Sequence, residues 1–259
     1  MHPSIYNEME MMQDTHWWFV GRSRVLRSLI NDLMEVDNPK PSRLKICELG
    51  CGPGGLLASL SEHHEVCGLE PSSDALKFAR KKLGNRVVMG KLPDDIPFQP
   101  EIFDVVILAD VLEHVERDAE AAKAAFRLVR EGGVLIATVP AHPWLYAPRD
   151  RLHHHFRRYE KKTFEKVLTL PSAQFELLSF YNSFLFPPAV MARFVNKLVS
   201  EASTRDLWLP PKPVNWLLSQ VFSSERFFLR RFPLPVGLSL IGVIRKGAQK
   251  TDGRKNALQ

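Results

Sequence analysis

The segment Glu48-Leu49-Gly50-Cys51-Gly52-Pro53-Gly54-Gly55 has the residue types of a ligand-holding loop. Glycine has no Cβ, so Gly50 and Gly52 let the backbone turn sharply and come close to a bound molecule. Gly50, Gly52 and Gly55 also spell G-x-G-x-x-G, the pattern of a dinucleotide loop. Glu70 follows about twenty residues on, where a carboxylate can hold both ribose hydroxyls through charge-assisted hydrogen bonds of about 1.5 to 3 kcal/mol. Loop and acid together describe an adenosine-bearing ligand, NAD or S-adenosylmethionine. Glu48 favours the second. A carboxylate two residues before the first glycine is awkward beside a pyrophosphate and useful beside the cationic amino and sulfonium groups of S-adenosylmethionine. No G-K-[ST] is present, which excludes a triphosphate loop.

These residues need a sheet to place them. LKICEL, EVCGLE, RVVMG, FDVVILAD and GVLIATVP are short apolar runs rich in β-branched residues, separated by helical patterns or turn residues. That alternation predicts an α/β, Rossmann-like parallel sheet with helices on both faces. The intervening helices are expected over about Gly54 to Ser61, Ser73 to Lys82 and Arg117 to Arg130, the last stopped by Gly132 and Gly133. Gln174 to Ser183 and Leu238 to Lys246 read as two further strands. Ahead of the sheet, Val25, Leu26, Leu29, Ile30 and Leu33 recur at helical spacing behind an aromatic lead-in. Between the last two strands, 184–236 is far longer than an ordinary connection. It reads as a helical pair, with one stripe of Val190, Met191, Phe194, Val195 and Leu198 opposed by Arg193, Asn196 and Lys197. A second stripe of Leu217, Leu218, Val221, Phe222, Phe228 and Leu229 is opposed by Ser219, Gln220, Arg226 and Arg230.

With E-x-G-x-G at Glu48, then Glu70, then FDVVILADVLEH from Phe103 to His114, then EGGVLIATVP from Glu131 to Pro140, the chain resembles the class I S-adenosylmethionine-dependent methyltransferases. It is most similar to the small-molecule branch typified by ubiquinone-biosynthesis O-methyltransferases, over about residues 42 to 182. The resemblance implies a seven-stranded sheet of order 3-2-1-4-5-7-6 with an antiparallel last strand. It also implies a cofactor site: Glu48, Gly50, Cys51 and Gly52 along the methionine part, Glu70 with Pro71 at the ribose, and Gly90, Lys91 and Leu92 lining the adenine. Ala109 and Asp110 would form the floor, and His114 would project beside it. Asp94 and Asp95, just beyond, read as loop polar residues. HWWFVGR and the run from Pro140 to Glu160 resemble a less characterised branch of the same superfamily. There Trp18 can cover a sulfonium by cation–π attraction and Arg22 can pair the methionine carboxylate; the alternative is that the aromatics Trp17, Trp18 and Phe19 merely cap the core.

Methyl transfer depends largely on positioning, and a hydroxyl acceptor also benefits from a base of near-neutral pKa. His114, His142 and Tyr159 are the expected candidates, with His153, His154 and His155 behind them. Consecutive histidines do not converge on one ion, so no metal is expected. Three rivals remain. A NAD-dependent oxidoreductase is disfavoured by Glu48. A nucleic-acid (RNA) methyltransferase is disfavoured because Asp110-Val111-Leu112-Glu113 lacks the [ND]-P-P-[YF] loop. A non-catalytic S-adenosylmethionine-binding protein is disfavoured by the intact loop and Glu70.

At 259 residues, with 45% hydrophobic and 25% charged residues, the chain is expected to form one methyltransferase domain over 1–246. Residues 1–36 would be its cap, 184–236 its lid, and 247–259 a disordered tail. No secretory leader or membrane span is legible, so a cytoplasmic location is expected. The three cysteines Cys47, Cys51 and Cys67 read as small core or loop residues. A net charge of +6 suits a nucleic acid, an anionic membrane surface or an acidic substrate, or solubility alone. The acceptor is expected to be a small or lipid-like molecule. Peripheral membrane contact through 184–236 would use Trp208, Trp216, Phe227 and Phe228 beside Arg226, Arg230 and Arg231.

Overall fold

Helices α1 (Pro3–Met12) and α2 (Trp17–Glu35) lead into a computed structural model that describes residues 3–35, 43–191, 209–229 and 231–247. Seven strands follow: β1 (Lys45–Leu49), β2 (Glu65–Glu70), β3 (Val87–Met89), β4 (Phe103–Ala109), β5 (Val129–Pro140), β6 (Ala173–Tyr181) and β7 (Ser239–Lys246). They form one sheet of order β3-β2-β1-β4-β5-β7-β6, with β7 antiparallel to both neighbours. Fold class and strand order are those expected. The parallel part is wound by α3 (Gly55–Leu60), α4 (Ser73–Leu83) and α5 (Asp118–Leu128), with α6 (Pro148–Leu152) and α7 (Lys161–Leu168) beyond β5.

Side chains alternate across a strand, and this divides the core in two. Ile46, Val105, Ile107, Val134 and Ile136 face α2 and α3 with Val25, Leu26, Ile30 and Leu57. Cys47, Leu49, Val106, Leu108 and Leu135 face α5 and α7 with Ala121, Ala125, Phe164 and Leu168. Glu48 therefore falls on the α2 face of the sheet, an acid among aliphatic neighbours.

The third crossover ends earlier than its glycines suggested. Helix α5 stops at Leu128, and Val129 already pairs with Phe103, so Gly132 and Gly133 lie inside β5 and stop no helix. Gly133 is needed there because a Cβ would meet the Asp104 carbonyl oxygen at 2.8 Å. Close strand approach, not helix termination, accounts for it.

The insertion departs more from its expected pattern. Its described helix, α8 (Lys212–Ser224), buries Phe222 and packs Leu218 and Val221 on the core as the stripe predicts, but it also turns Ser219 and Ser223 inward and leaves Leu217 55% exposed. The reason is the partner surface. α8 packs on α2 at Gly21, where a Cβ would lie 2.3 Å from Phe222 Cδ1. Two small serines on that face let the helices approach. Their hydroxyls donate to the Trp216 and Ser219 carbonyls of their own helix, so burying them leaves no orphaned donor. Burial of Phe222 against Trp17 and Tyr181 contributes about 1.5 to 3 kcal/mol to this docking. Asn215 completes it, accepting from the Trp17 amide and donating to the Thr15 carbonyl. Residues 186–191 are helical, while the rest of the first stripe, together with Trp208, Arg230 and the tail from 248, lies outside the described residues.

Candidate active site

Parallel register brings the functional ends together. Glu48 pairs with Gly68 and Ile107, Glu70 with Met89, and Ala109 with Thr138, so Glu48, Glu70 and Asp110 reach the same edge of the sheet. The order reverses between β1 and β4, and at such a switch point the loops diverge and leave a crevice. A cleft of about 200 Å³ opens there, lined by Phe19, Arg22, Glu48, Cys51 and Pro53.

Gly50 and Gly52 both have positive φ, 76° and 55°, where a side chain is strained. Glu70 is buried and accepts from the Gly52 amide at 2.7 Å and the Ser72 amide at 2.9 Å. It shapes the glycine loop through those two amides. Burial pushes its pKa up, opposed by those two amides. Gly90 is buried, and a Cβ there would sit 2.6 Å from the Asp95 carbonyl oxygen; Leu92 is buried in the second core cluster, while Lys91 and Pro71 are exposed. Asp94 is a loop residue paired with Arg117, as its reading as a loop polar residue anticipated.

Glu48 is only 3% exposed, and its Oε2 has no hydrogen-bond partner. Burial raises its pKa to about 8, with the Arg22 guanidinium acting the other way. A buried acceptor without a donor is costly unless something cationic arrives. The amino and sulfonium end of S-adenosylmethionine is such a group, so the residues present fit this cofactor.

Arg22 and Trp18 are in place but already engaged. Arg22 Nη1 lies 2.5 Å from Asp110 Oδ2, and its guanidinium carbon sits 4.5 Å above the Trp18 ring. The Trp18 face expected for a sulfonium is thus covered by Arg22, and an incoming carboxylate would have to share Arg22 with Asp110. Alternation along β4 would send Asp110 to the far face. Its positive φ of 59° turns it back toward α2 instead.

The proton-transfer candidates separate. Tyr159 is buried in the second core cluster, donates to Asp118 at 2.7 Å and has its phenol pushed far above its usual range, first by burial and then by that carboxylate. It is a structural residue and not a base. His142 sits at the carboxyl end of β5 with φ 62°, stacked on Phe180 at 5.3 Å and hydrogen-bonded to the Gly237 carbonyl. Burial lowers its pKa. His114 lies beside His155, and burial with the neighbouring imidazoles lowers its pKa to about 3, so it is neutral and a weak proton acceptor.

One element of the site was missed from sequence. α1 lies across the glycine loop: Met9 Cε is 3.7 Å from where a Gly52 Cβ would be, and the Gln13 amide lies against Gly55. Lys82 Nζ fastens it, bonding Glu10 Oε1 at 2.6 Å and the Pro53 carbonyl at 3.3 Å. Ile5, Tyr6 and Met9 at i, i+1 and i+4 are the signal that could have shown this helix.

Residues 47–137 match the family described as Methyltransferase domain. A ubiquinone biosynthesis O-methyltransferase of Nitrosomonas europaea is 34% identical over 146 residues, which cover 51% of this chain and 62% of that protein. The chain therefore spans less than two thirds of the length of this relative. In fold, it resembles a SAM-dependent methyltransferase from Thermotoga maritima with a TM-score of 0.55 at 17% identity, covering 94% of this chain and 97% of that one. It also resembles Haemonchus contortus phosphoethanolamine N-methyltransferase 2, whose structure holds S-adenosyl-L-methionine, with a TM-score of 0.53 at 12% identity, covering 93% and 60%. The resemblance that the four motifs carried holds in sequence over residues 47–137 and in fold across nearly all of the chain.

Proposed function

We propose that this chain, which carries a methyltransferase domain over residues 47–137 within the full seven-stranded methyltransferase fold, transfers a methyl group from S-adenosylmethionine to a small or lipid-like acceptor at oxygen or nitrogen. The observation that carries this reading is the buried, unpartnered Glu48 carboxyl beside the glycine loop and Glu70. Glu48 takes the cationic end, Gly50, Cys51 and Gly52 bring the backbone close along the methionine, Glu70 holds the ribose, and Gly90 and Leu92 border the adenine. The cofactor supplies an activated methyl group when bound. The chain then orients the acceptor and excludes water, and positioning of this kind is worth roughly 7 to 11 kcal/mol.

Calorimetry tests the reading. Glu70→Ala removes the ribose acceptor and frees the Gly52 and Ser72 amides, so affinity for S-adenosylmethionine is expected to fall about 10-fold or more while the protein stays folded. Undiminished affinity would mean that the ribose is held away from Glu70, and thermal protection of the wild type by NADH and not by S-adenosylmethionine would overturn the reading in favour of an oxidoreductase.

The acceptor's lipid-like character is supported by the outward face of α8 and the segment after it. Trp216, Leu217, Phe227, Phe228 and Phe232 are exposed, and Arg226 lies 4.6 Å above the Phe227 ring with Arg231 nearby in the chain. Exposed aromatics flanked by basic residues suit an anionic membrane surface. No helix among the described residues is long and apolar enough to cross a membrane, so contact would be peripheral. Sedimentation with anionic and neutral vesicles is expected to show binding only to the anionic ones, lost in Arg226→Ala/Arg231→Ala. Failure to bind either kind leaves 184–236 as an ordinary cover over a soluble substrate.

A further inference from the structure

Glu113, His114 and His155 each present one ligand atom, and these atoms lie within 4.8 Å of one another. Two come from the turn after β4 and one from the loop after α6. Glu113 and His114 share one turn, and the loop that carries His155 is held to it by the Phe156 amide, which donates to the Glu113 carbonyl at 2.8 Å. The imidazoles of His114 and His155 stand 4.6 Å apart at 80°.

Three features distinguish this cluster from a chance meeting of polar side chains. First, Glu113 is 1% exposed and its Oε2 has no partner. The nearby cations are taken: Arg22 pairs with Asp110 and Arg158 Nε with Asp150 at 2.8 Å. Second, His155 has one ring nitrogen oriented by the protein: its Nδ1 bonds the buried Asp150 carboxylate at 2.9 Å. An imidazole tied through one nitrogen offers the lone pair of the other, and a carboxylate behind a histidine is the usual support of a metal ligand. Asp150 is itself fixed by Arg158 and the Ala147 amide. Third, the His155 side chain is 16% exposed, which leaves a way in for an ion.

We propose that Glu113, His114 and His155 bind a divalent transition-metal ion, with zinc the best match. Two imidazoles and one carboxylate are borderline ligands that suit zinc, whereas magnesium and calcium prefer oxygen alone. Three protein ligands leave one position of a tetrahedron open, as at catalytic sites. The Glu113 proton leaves to solvent as the ion binds. Glu113 feels the charges of Asp110 and of Arg22, which lines the cleft. There the ion would lower the pKa of an acceptor hydroxyl, a task for which His114 and Tyr159 are unsuited as bases. That role rests on the methyl-transfer reading; the binding site does not.

The test uses the full-length protein with Zn²⁺ and Mg²⁺ in competition with a chromophoric chelator, and Co²⁺ as a spectroscopic probe. Expected are one tight Zn²⁺ per chain, no competing Mg²⁺, and a Co²⁺ spectrum without thiolate charge transfer. His155→Ala and, separately, His114→Gln should each weaken Zn²⁺ by at least 10-fold. S-adenosylmethionine affinity of His155→Ala should be unchanged. Zinc that binds equally well to both folded variants, a thiolate signature from Cys47, Cys51 or Cys67, or no zinc bound at all would overturn the proposal. If S-adenosylmethionine fails to bind the wild type while zinc binds normally, the functional reading fails and the metal site stands.

Discussion

Gly52→Val is expected to lower affinity for S-adenosylmethionine by at least about 100-fold while leaving a folded protein, because it strains the loop and places a branched side chain where the backbone must meet the ligand. At φ 55° a valine is strained by about 1 to 3 kcal/mol. Among the described residues beyond its chain neighbours, its Cβ would come within 4 Å of Met9 Cε alone, at 3.7 Å, the far end of a flexible side chain on α1. Stability should therefore fall modestly. Gly50→Val is the contrast. There the Cβ would press to 2.8 Å from Val111 Cγ2, so this variant should lose both stability and binding. Isothermal calorimetry beside thermal unfolding separates the two. A Gly52→Val protein that binds normally would place the cofactor's methionine part away from this loop.

Glu48 gives the second large effect, a pH dependence of binding with a definite sign. In the free protein its carboxyl is held up to about 8, chiefly by burial. A bound cation favours the ionised form and lowers that value, so binding expels a proton. Affinity should rise with pH while Glu48 must lose its proton to bind, by up to about 10-fold per pH unit, and level off above pH 8. Between pH 6 and 8 the gain is about 50-fold. Glu48→Gln removes the linkage. Calorimetry at pH 7 in buffers of different ionisation enthalpy should show close to one more proton released by wild type than by this variant. Equal release by both would mean that the cationic end of the ligand lies elsewhere, and the choice of S-adenosylmethionine over NAD would lose its main support.

Most of the catalytic frame was legible along the chain because it is built from local patterns. Apolar runs bounded by glycines, with a helical period between them, can form little other than a wound parallel sheet. A loop carrying Glu48, Gly50 and Gly52 declares its chemistry in a few adjacent residues, and Glu70 lies one strand further on. The α8 stripe holds at Leu218, Val221 and Phe222 and fails at Leu217, because periodicity reports which residues are apolar and not which surface is available to bury them. Gly21 on α2 creates a shallow site that Phe222 fills between two serines, and the larger Leu217 is left outside. Tyr159 was misassigned for a related reason. A tyrosine near a carboxyl strand end can face the ligand or the core, and its bond to Asp118 decides for the core.

The sequence alone determined the fold class, the strand order through resemblance, and the chemical character of the ligand loop, since each depends on residue types at short spacing. Only the tertiary structure decided what those residues meet. It set α1 over the glycine loop through the Lys82–Glu10 pair and turned Asp110 back to Arg22 through a positive φ. It also brought His155 to Glu113 and His114 across about forty residues of intervening chain. Such contacts depend on how two loops end after separate strands or helices have packed, and no local propensity encodes that meeting.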